Sequence, residues 1–376
     1  MRRSSTVALY YPNTTAYASN GRMMITSKVL RICSVSAVAV TALIGCSNGT
    51  ASETKTSVVS KLSVEVPTDY TGPDAGRFQT LADPTITPNA SFTVGYLGVS
   101  TAQPSLVAIQ DAIEAEVTSL GGSFVPKDAQ LDPQKQVSQM NELLAAGVDA
   151  IICSPVFAEA LSPSIAQAKE KGIPFVTVIG SAGPEDTVAG AVASISQGFD
   201  YSAYRTVKAV ADETPGASFA TMGLGLPVKV LSYLVEREQF WAEEMGLEYL
   251  GNVDSTDDTP SGYSTAASTI LTKYPNVDVI AAYNDQSSVA LSTTVATQGS
   301  DAMVINPSAG QSITGDAIEA GRVDIAYRTP FEAIGKQSAI AAYKAVTEQG
   351  VPIEPYIVVP SYIVSADNLD QAVWFD

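Results

Sequence analysis

Three aspartates lie close together in one short segment of the sequence, at Asp254, Asp257 and Asp258. Paired carboxylates could act as the acid and base of a hydrolase, or they could bind a metal ion. The segment lacks the regular spacing of oxygen ligands and the terminal Glu of a calcium-binding loop. We therefore interpret these three residues as a solvated turn.

The reactive side chains on which many enzymes depend are scarce in this chain. The sequence contains no histidine, which excludes His-based triads, His-activated cysteines and metal sites that contain His. The cysteines are Cys33, Cys46 and Cys153. Because Cys33 and Cys46 belong to the N-terminal export region described below, no structural disulfide is expected in the mature chain. We predict that the protein is not an enzyme and that it binds no metal.

A glycine-rich segment, Gly223-Leu224-Gly225, is similar to the beginning of a nucleotide-binding fingerprint. No third glycine follows at the required position, and Pro227 interrupts the pattern. We interpret the segment as a loop between a strand and a helix, and we predict no cofactor.

Short apolar runs alternate with helical patterns from Ser91 onward. The first helical pattern carries Leu106, Ile109, Ile113 and Val117 at a spacing of three and four residues, which is typical of an amphipathic helix. Two sets of such strands and helices follow each other along the chain. Near-continuous apolar strands between amphipathic helices indicate parallel sheets that are covered on both faces. The sequence therefore predicts an α/β fold with two Rossmann-like lobes.

The N-terminal region is typical of an export signal. Basic residues, with no acidic residue among them, precede an apolar run from Ser34 to Gly45, and this run is shorter than the about 20 residues that span a membrane. The run ends in Leu43-Ile44-Gly45-Cys46, which resembles the bacterial lipobox. The alternative is an ordinary signal with an unrelated Cys. We predict that Cys46 is lipidated and that the protein lies outside the cytoplasmic membrane, at the cell surface or in the periplasm.

The chain divides into four predicted parts. Ser, Thr, Asp and Pro dominate the stretch between the signal and the first strand, which is typical of a flexible tether. The remaining residues suit two lobes of ordinary domain size. The predicted boundaries are 1–45 for the signal peptide, with Met23 and Met24 as alternative starts, 46–90 for the lipid-anchored flexible tether, 91–194 plus 329–358 for the N-terminal lobe, and 195–328 plus 359–376 for the C-terminal lobe.

The chain is strongly acidic, with a formal net charge of −18 and a pI near 4.3. Binding to nucleic acid depends on a clustered surface of Lys and Arg, which this chain lacks. We therefore predict no nucleic-acid partner. The acidity favours solubility and does not identify a ligand.

Five segments carry a family resemblance. They are DAQLDPQKQ at 128–136, GVDAIICSP at 147–155, AKEKGIP at 168–174, YPNVDVIAAYND at 274–285 and AIEAGRV at 317–323. In this order and spacing they resemble the type I periplasmic binding protein family, which includes sugar-binding proteins and the effector domains of lactose-repressor-like regulators. The resemblance extends from about Phe92 to Val364.

The resemblance implies a hinged protein whose two lobes close on a small molecule. Such a protein delivers its solute, here with a sugar or sugar-like compound favoured, to the permease of an ABC transporter, and we expect a monomer. A sensor that presents its solute to a membrane receptor shares these sequence features, and a hydrolase of similar fold is a further alternative. A regulator is excluded because the chain begins with an export signal and not with a basic helix-turn-helix.

Candidate ligand-binding residues follow from the rule that ligands of open parallel sheets bind beyond the carboxyl ends of the strands. The predicted strands nominate Ser100, Thr101, Gln103, Ser105, Ser154, Gly180 and Ser181 in the first lobe, and Gly223-Leu224-Gly225, Asn284, Asp285, Ser308 and Ala309 in the second. Gln197 is nominated from a predicted crossover between the lobes. Phe157 and Tyr283 are the preferred candidates for an aromatic wall.

Asn284 is the strongest single candidate. It matches the ligand-binding Asn of the family in a strand-terminal Asn-Asp pair, and its amide can both donate and accept hydrogen bonds. Asp285 is expected to cap the next helix, with contact to ligand as the alternative. Arg237 lies near a position where sugar-binding members have an Arg, but the register is one residue off, so a solvated charge on a helix is equally consistent. Arg328 lies at a predicted crossover.

The sequence departs from the sugar-binding pattern of the family in three places. Ile179-Gly180 stand where ribose-type members have Asp-Arg, Ser105-Leu106 stand where they have Phe-Phe, and Ser308 lies nearest to where they have an Asp. Charged groups that pair with sugar hydroxyls are therefore fewer than in those members. The departures weaken the assignment of a sugar ligand and leave the fold prediction unchanged.

Overall fold

The computed structural model describes residues 64, 66, 68–79, 91–348 and 352–376. The chain divides into two units, at Met1–Thr56 and Ser57–Asp376, and all the described residues belong to the second. The predicted signal peptide and Cys46 lie outside the described residues, and every element below belongs to the second unit. Within the described part of the chain, no helix is both long enough and apolar enough to cross a membrane.

Strands and helices alternate along the second unit. The strands are β1 (Thr93–Gly98), β2 (Ser123–Asp128), β3 (Ala150–Cys153), β4 (Phe175–Val178), β5 (Ala193–Ser196), β6 (Ser218–Leu224), β7 (Glu248–Ser255), β8 (Val279–Ala281), β9 (Met303–Ala309), β10 (Ile325–Arg328), β11 (Tyr356–Val358) and β12 (Tyr362–Val364). The helices are α1 (Pro104–Ser119), α2 (Pro133–Ala146), α3 (Ala158–Glu170), α4 (Phe199–Glu213), α5 (Lys229–Glu244), α6 (Pro260–Lys273), α7 (Asp285–Gln298), α8 (Ser312–Glu319) and α9 (Phe331–Thr347).

Two six-stranded sheets define the two lobes. The sheet of the N-terminal lobe has the order β11-β5-β4-β3-β1-β2, with parallel neighbours throughout. The sheet of the C-terminal lobe has the order β12-β10-β9-β8-β6-β7, in which β12 runs antiparallel to β10 and the other neighbours are parallel. The predicted α/β fold with two Rossmann-like lobes is confirmed.

The first helix shows how the apolar pattern becomes a packed layer. Ile109, Ile113 and Val117 of α1 are buried, as their spacing predicts, and α1 packs along α9. Gly335 on α9 permits the close approach, because a Cβ atom there would lie 2.5 Å from the carbonyl oxygen of Ile109. Leu106, the first apolar residue of the same pattern, is only partly buried and lines the cavity described below.

The chain crosses between the lobes where β5 leads to α4, where β10 leads to α9 and where β11 leads to β12. Ile195 and Ser196 pair with β11, so they belong to the sheet of the N-terminal lobe. The first boundary therefore lies after Ser196 and not after residue 194, because the strand continues to the crossover.

Residues 68–79, which we call the hinge strap, pack against both lobes. The Gln79 amide donates to the carbonyl of Val358 on β11 at 2.9 Å, and the Val358 amide donates to the carbonyl of Arg77 at 2.9 Å. The Tyr70 hydroxyl donates to Asp200 on α4. The prediction of a flexible tether over 46–90 is therefore wrong for this part, since composition alone does not reveal these pairings.

Asp74 gives the hinge strap a specific role at the start of α4. The residue before this helix is Gly198, which has a φ of 70° and no side chain to cap the first turn. Asp74 Oδ2 accepts the amide hydrogen of Tyr201 at 3.1 Å and supplies the cap from outside the helix. A Cβ atom on Gly198 would lie 2.9 Å from the same oxygen, so this arrangement needs a glycine.

Candidate functional site

A cavity of about 500 Å³ lies between the two lobes. Its walls come from the segments that follow β1, β2, β3 and β4 in the N-terminal lobe, from those that follow β6, β7 and β8 in the C-terminal lobe, and from Ser308 near the end of β9. Crossover residues Gln197 and Phe199 and the first residue of α9, Phe331, complete the lining. The cavity therefore lies where the strand-end rule predicts a ligand site.

The structure brings most of the predicted residues to this cavity. The lining includes Gln103, Ser105, Ser154, Gly180, Gln197, Asn284, Asp285 and Ser308, together with Phe157 and Tyr283. Each of these residues lies near the carboxyl end of a strand, in the loop that follows the strand, or at the start of the next helix. Their role in ligand binding is a proposal taken up below.

Thr101 and Ser181 lie outside the cavity lining, although both follow strands. Thr101 is exposed, and its hydroxyl donates to Asp128 Oδ2 at 2.9 Å. Ser181 is buried, and its hydroxyl donates to the Ser194 hydroxyl at 3.2 Å. Each side chain thus turns to a neighbouring strand of its own lobe.

Arg237 and Arg328 also lie outside the cavity lining, because each has partners elsewhere. Arg237 forms an ion pair with Asp200 of α4. Arg328 Nε donates to the carbonyl of Val373 at 2.7 Å, and its Nη2 lies 2.8 Å from Glu332 Oε1. Both guanidinium groups thus connect elements of the fold.

Asp258 is the polar centre of the cavity, and the interpretation of its segment as a solvated turn is wrong for this residue. Its Oδ1 atom accepts hydrogen bonds from the hydroxyls of Tyr263 at 2.6 Å and Tyr283 at 2.9 Å, and from Asn284 Nδ2 at 3.3 Å. Its Oδ2 atom accepts from Gln103 Nε2 at 2.7 Å. Asp258 therefore joins the two lobes, since Gln103 comes from the opposite wall.

The signal that could have identified Asp258 is its position beyond the end of β7. The strand-end rule nominates this loop as it nominates the others, but the Asp, Ser and Thr around it favour a turn on composition. Asp254 is exposed, but it lies within β7 and not in a turn, and its carboxylate accepts from Asn252 Nδ2 at 2.6 Å.

The phenols beside Asp258 are fixed as hydrogen-bond donors. Burial raises the pKa of Tyr283 and of Tyr263, and the neighbouring Asp258 carboxylate raises both further. Because a phenol with a raised pKa stays protonated at neutral pH, both hydroxyls donate to the carboxylate. The tyrosines thereby hold the charge of Asp258 in place.

Asn284 and Asp285 have different structural roles at the start of α7. Asn284 Oδ1 accepts the amide hydrogen of Ser287 at 2.7 Å, so Asn284 is the cap of α7, whereas the expectation placed the cap at Asp285. Asp285 is buried and accepts from the Thr314 hydroxyl at 2.6 Å and from the Gly310 amide at 3.0 Å. Burial raises the pKa of Asp285, while these hydrogen bonds act in the opposite direction. Asp285 anchors the loop after β9 and also lines the cavity.

Gln197 offers an unused donor to the cavity. Its Oε1 atom accepts from the Ser308 hydroxyl at 3.3 Å, a contact that ties the crossover to β9 of the C-terminal lobe. Its Nε2 atom is buried and has no hydrogen-bond partner among the described residues. An unpaired buried donor costs free energy, and a ligand oxygen in the cavity would satisfy it.

The remaining walls are mainly apolar. Phe157, Phe199 and Phe331 contribute aromatic surface, with aliphatic side chains such as Leu106 and Ile179 between them. A mainly apolar cavity with a few converging polar groups is typical of a site for one small molecule. Among the described residues, no cluster of three or more His, Cys, Asp or Glu side chains is arranged to hold a metal ion.

Sequence comparison supports the architecture from an independent direction. The family model described as "Periplasmic binding protein domain" matches residues 94–350. The ribose import binding protein of Bacillus subtilis (strain 168) is 27% identical over 223 residues, which cover 57% of this chain and 68% of that protein. The xylitol-binding protein of Mycolicibacterium smegmatis is 42% identical over 77 residues, which cover 18% of this chain and 22% of that protein.

Solved structures share the fold. A periplasmic ribose ABC transporter protein from Conexibacter woesei superimposes with a TM-score of 0.67 at 20% identity, covering 76% of this chain and 95% of that one. A solute-binding protein from Bacillus halodurans with bound myo-inositol has a TM-score of 0.63 at 21% identity, covering 76% and 98% of the two chains. Since the family model covers more than half of the sequence and the two-lobed architecture agrees with it, the chain belongs to the type I periplasmic binding protein family.

Proposed function

We propose that the chain is the extracytoplasmic solute-binding protein of an ABC transporter and that it captures a sugar or sugar-like small molecule between its lobes. The observation that carries the proposal is the polar cluster around Asp258 in the interlobe cavity. Gln103 from one lobe and Asn284 from the other meet at its carboxylate. A solute between the walls would contact both lobes at once and would favour their closure.

The relatives agree with a hydroxylated solute. Proteins similar to this chain are named for ribose import and for xylitol binding, and a structural neighbour holds myo-inositol. In this chain, Asn284, Gln197 and Ser308 supply donors and acceptors that suit hydroxyl groups, and Phe157 and Tyr283 supply surface for the apolar face of a ring.

The proposal extends to the location and partners of the protein. Cys46 carries the lipid that holds the chain at the outer face of the cytoplasmic membrane, the permease of the transporter is its partner, and it acts as a monomer without catalysis. Replacing Cys46 with Ser tests the anchor. The variant should leave the membrane fraction, and retention there would contradict lipidation at this residue.

The experiment for the binding function is a thermal-shift screen of the chain from Ser47 onward, which keeps every described residue. Sugars, polyols, nucleosides, amino acids and small acids form the panel. A bound solute raises the melting temperature by mass action, so a sugar or polyol should raise it in a concentration-dependent way with no product formed. Turnover of the solute, or a response restricted to another class, would overturn the proposal.

Asn284→Ala identifies the site of the observed binding. The variant should lose affinity for the same solute by about tenfold or more, because a hydrogen-bonding group in the binding cavity is removed. Thr101→Ala is the matched control, since Thr101 also follows a strand but lies outside the cavity lining. Equal affinities in a folded Asn284→Ala variant would remove Asn284 from the site.

A further inference from the structure

Asp258 differs from the other acidic residues of the cavity in its partners. Asp285 is directed into the loop after β9, where Thr314 and Gly310 donate to it. Asp186 forms an ion pair with Lys229 across the two lobes. Asp258, like Asp285, is held by neutral donors, but its donors come from both lobes: the hydroxyls of Tyr263 and Tyr283 and the amides of Asn284 and Gln103. Its charge is therefore stabilised without a neighbouring cation.

The described lining of the cavity contains more acidic side chains than basic ones. Among the described lining residues, Lys229 is the basic one, and its ammonium group is engaged with Asp186. The lining also includes Glu159. A phosphate or carboxylate on a solute would therefore meet the Asp258 charge without a free cation to compensate it.

The donors of Asp258 are divided between the lobes. Tyr263, Tyr283 and Asn284 belong to the C-terminal lobe and all reach Oδ1, whereas Gln103 belongs to the N-terminal lobe and reaches Oδ2. When the lobes separate, Oδ1 keeps its donors and Oδ2 loses Gln103. The acceptor that becomes free is the one that faces the opposite wall.

Resting on the proposed function, we infer that Asp258 is the specificity-determining residue of the cavity. It accepts a hydroxyl or amine hydrogen of the solute at Oδ2 in exchange for the Gln103 amide, and it rejects solutes that carry a negative charge. The ligand class is therefore the uncharged polyol or the amino polyol, and sugar acids and sugar phosphates are excluded.

Three compounds with one carbon skeleton test the inference: xylitol, 1-amino-1-deoxyxylitol and xylonate. Titration calorimetry measures their dissociation constants with the chain from Ser47 onward. Xylitol and the amine should bind, and xylonate should bind at least about 100-fold more weakly, because like charges a few ångströms apart repel strongly in a partly desolvated site.

Asp258→Asn keeps the shape of the side chain and removes its charge. The variant should bind xylitol about tenfold more weakly, since one acceptor is lost, and its preference for xylitol over xylonate should fall to within about threefold. Asp254→Asn, an exposed position on the same segment, is the control and should retain the wild-type preference.

The outcomes separate the inference from the function on which it rests. If xylitol and xylonate bind equally well, or if Asp258→Asn keeps the full preference, the inference fails while solute binding stands. If no polyol or sugar binds the wild-type chain, the proposed function fails and the inference fails with it.

Discussion

Asp258 and Asp200 have similar partners and opposite surroundings. Asp258 accepts from the hydroxyls of Tyr263 and Tyr283 and lines the interlobe cavity, half-buried. Asp200 is 1% exposed, and its partners are the Tyr70 hydroxyl, Arg237 and, at 3.1 Å, Trp241 Nε1.

The two carboxylates differ in whether a solute can reach their oxygen atoms. All the partners of Asp200 are side chains of the hinge strap and of α5, so this carboxylate fastens parts of the fold to α4 and is closed to solutes. Asp258 keeps one side toward a space of about 500 Å³. A carboxylate among tyrosines is therefore a binding group or a structural one according to whether the fold leaves a cavity in front of it.

The largest expected effect is a loss of stability on replacing Asp200, the structural carboxylate. Asp200→Ala leaves the Arg237 side chain, 18% exposed, without its partner, and breaking a buried pair from one side costs about 3–5 kcal/mol. The free energy of unfolding from urea titration should fall by this amount, while a folded sample should bind solute within about twofold of wild type.

Asp212→Ala is the control for that variant, because it lies on the same helix in an exposed pair with Lys208. An exposed pair of this kind contributes at most about 0.5 kcal/mol. If Asp200→Ala destabilised the chain no more than Asp212→Ala does, the structural role of Asp200 would be refuted.

The second prediction concerns Asp258, the carboxylate that lines the cavity. Asp258→Ala should weaken solute binding by at least about tenfold, which corresponds to about 1.4 kcal/mol, and it should lower the free energy of unfolding by less than Asp200→Ala does, because Asp258 lies beside solvent-accessible space. Calorimetry with the best solute and urea titration measure the two quantities. A larger loss of stability than in Asp200→Ala, with affinity unchanged, would reverse the comparison.

The smallest predicted effect concerns pH and the hinge strap. Burial and the nearby charge of Asp200 together raise the pKa of Asp74 from 3.8 to about 7, against the smaller lowering effect of groups such as Arg77. Since the folded pKa lies above the unfolded one, the stabilisation by protonated Asp74 is complete below about pH 4 and is lost as the pH rises through about 7.

Asp74→Asn should remove this pH dependence and keep the cap on α4, because the amide oxygen can still accept from Tyr201. The melting temperature of wild type relative to the variant should therefore fall by about 2–4 °C between pH 5 and pH 8. Calorimetric scans at four pH values measure it, and parallel profiles of the two proteins would contradict a titrating Asp74.

The fold could be predicted from sequence because its causes are local. The spacing of Ile109, Ile113 and Val117 determines the buried face of α1, and residues at strand ends must lie at one edge of a parallel sheet. This rule placed Gln103 and Asn284 on the cavity without any knowledge of the rest of the chain.

The parts that could not be predicted depend on partners distant in sequence. Arg237 is drawn away from the cavity by Asp200, and Asp74 reaches Tyr201 from the hinge strap. The local sequence around Arg237 or Asp74 gives no information about a partner that lies far away in the chain. Asp258 was misinterpreted for a different reason, because a strand end rich in Asp, Ser and Thr has the composition of a solvated turn.

The most direct test of the central claim is hydrogen–deuterium exchange of the chain with and without neutral polyols and sugars, xylitol and D-ribose included. If the cavity around Asp258 is the solute site, exchange should slow in peptides that contain Gln103, Asp258 and Asn284 and should stay unchanged in the peptide that contains Asp74. Slowed exchange confined to other surfaces, or no change with any neutral solute, would contradict a binding site between the lobes.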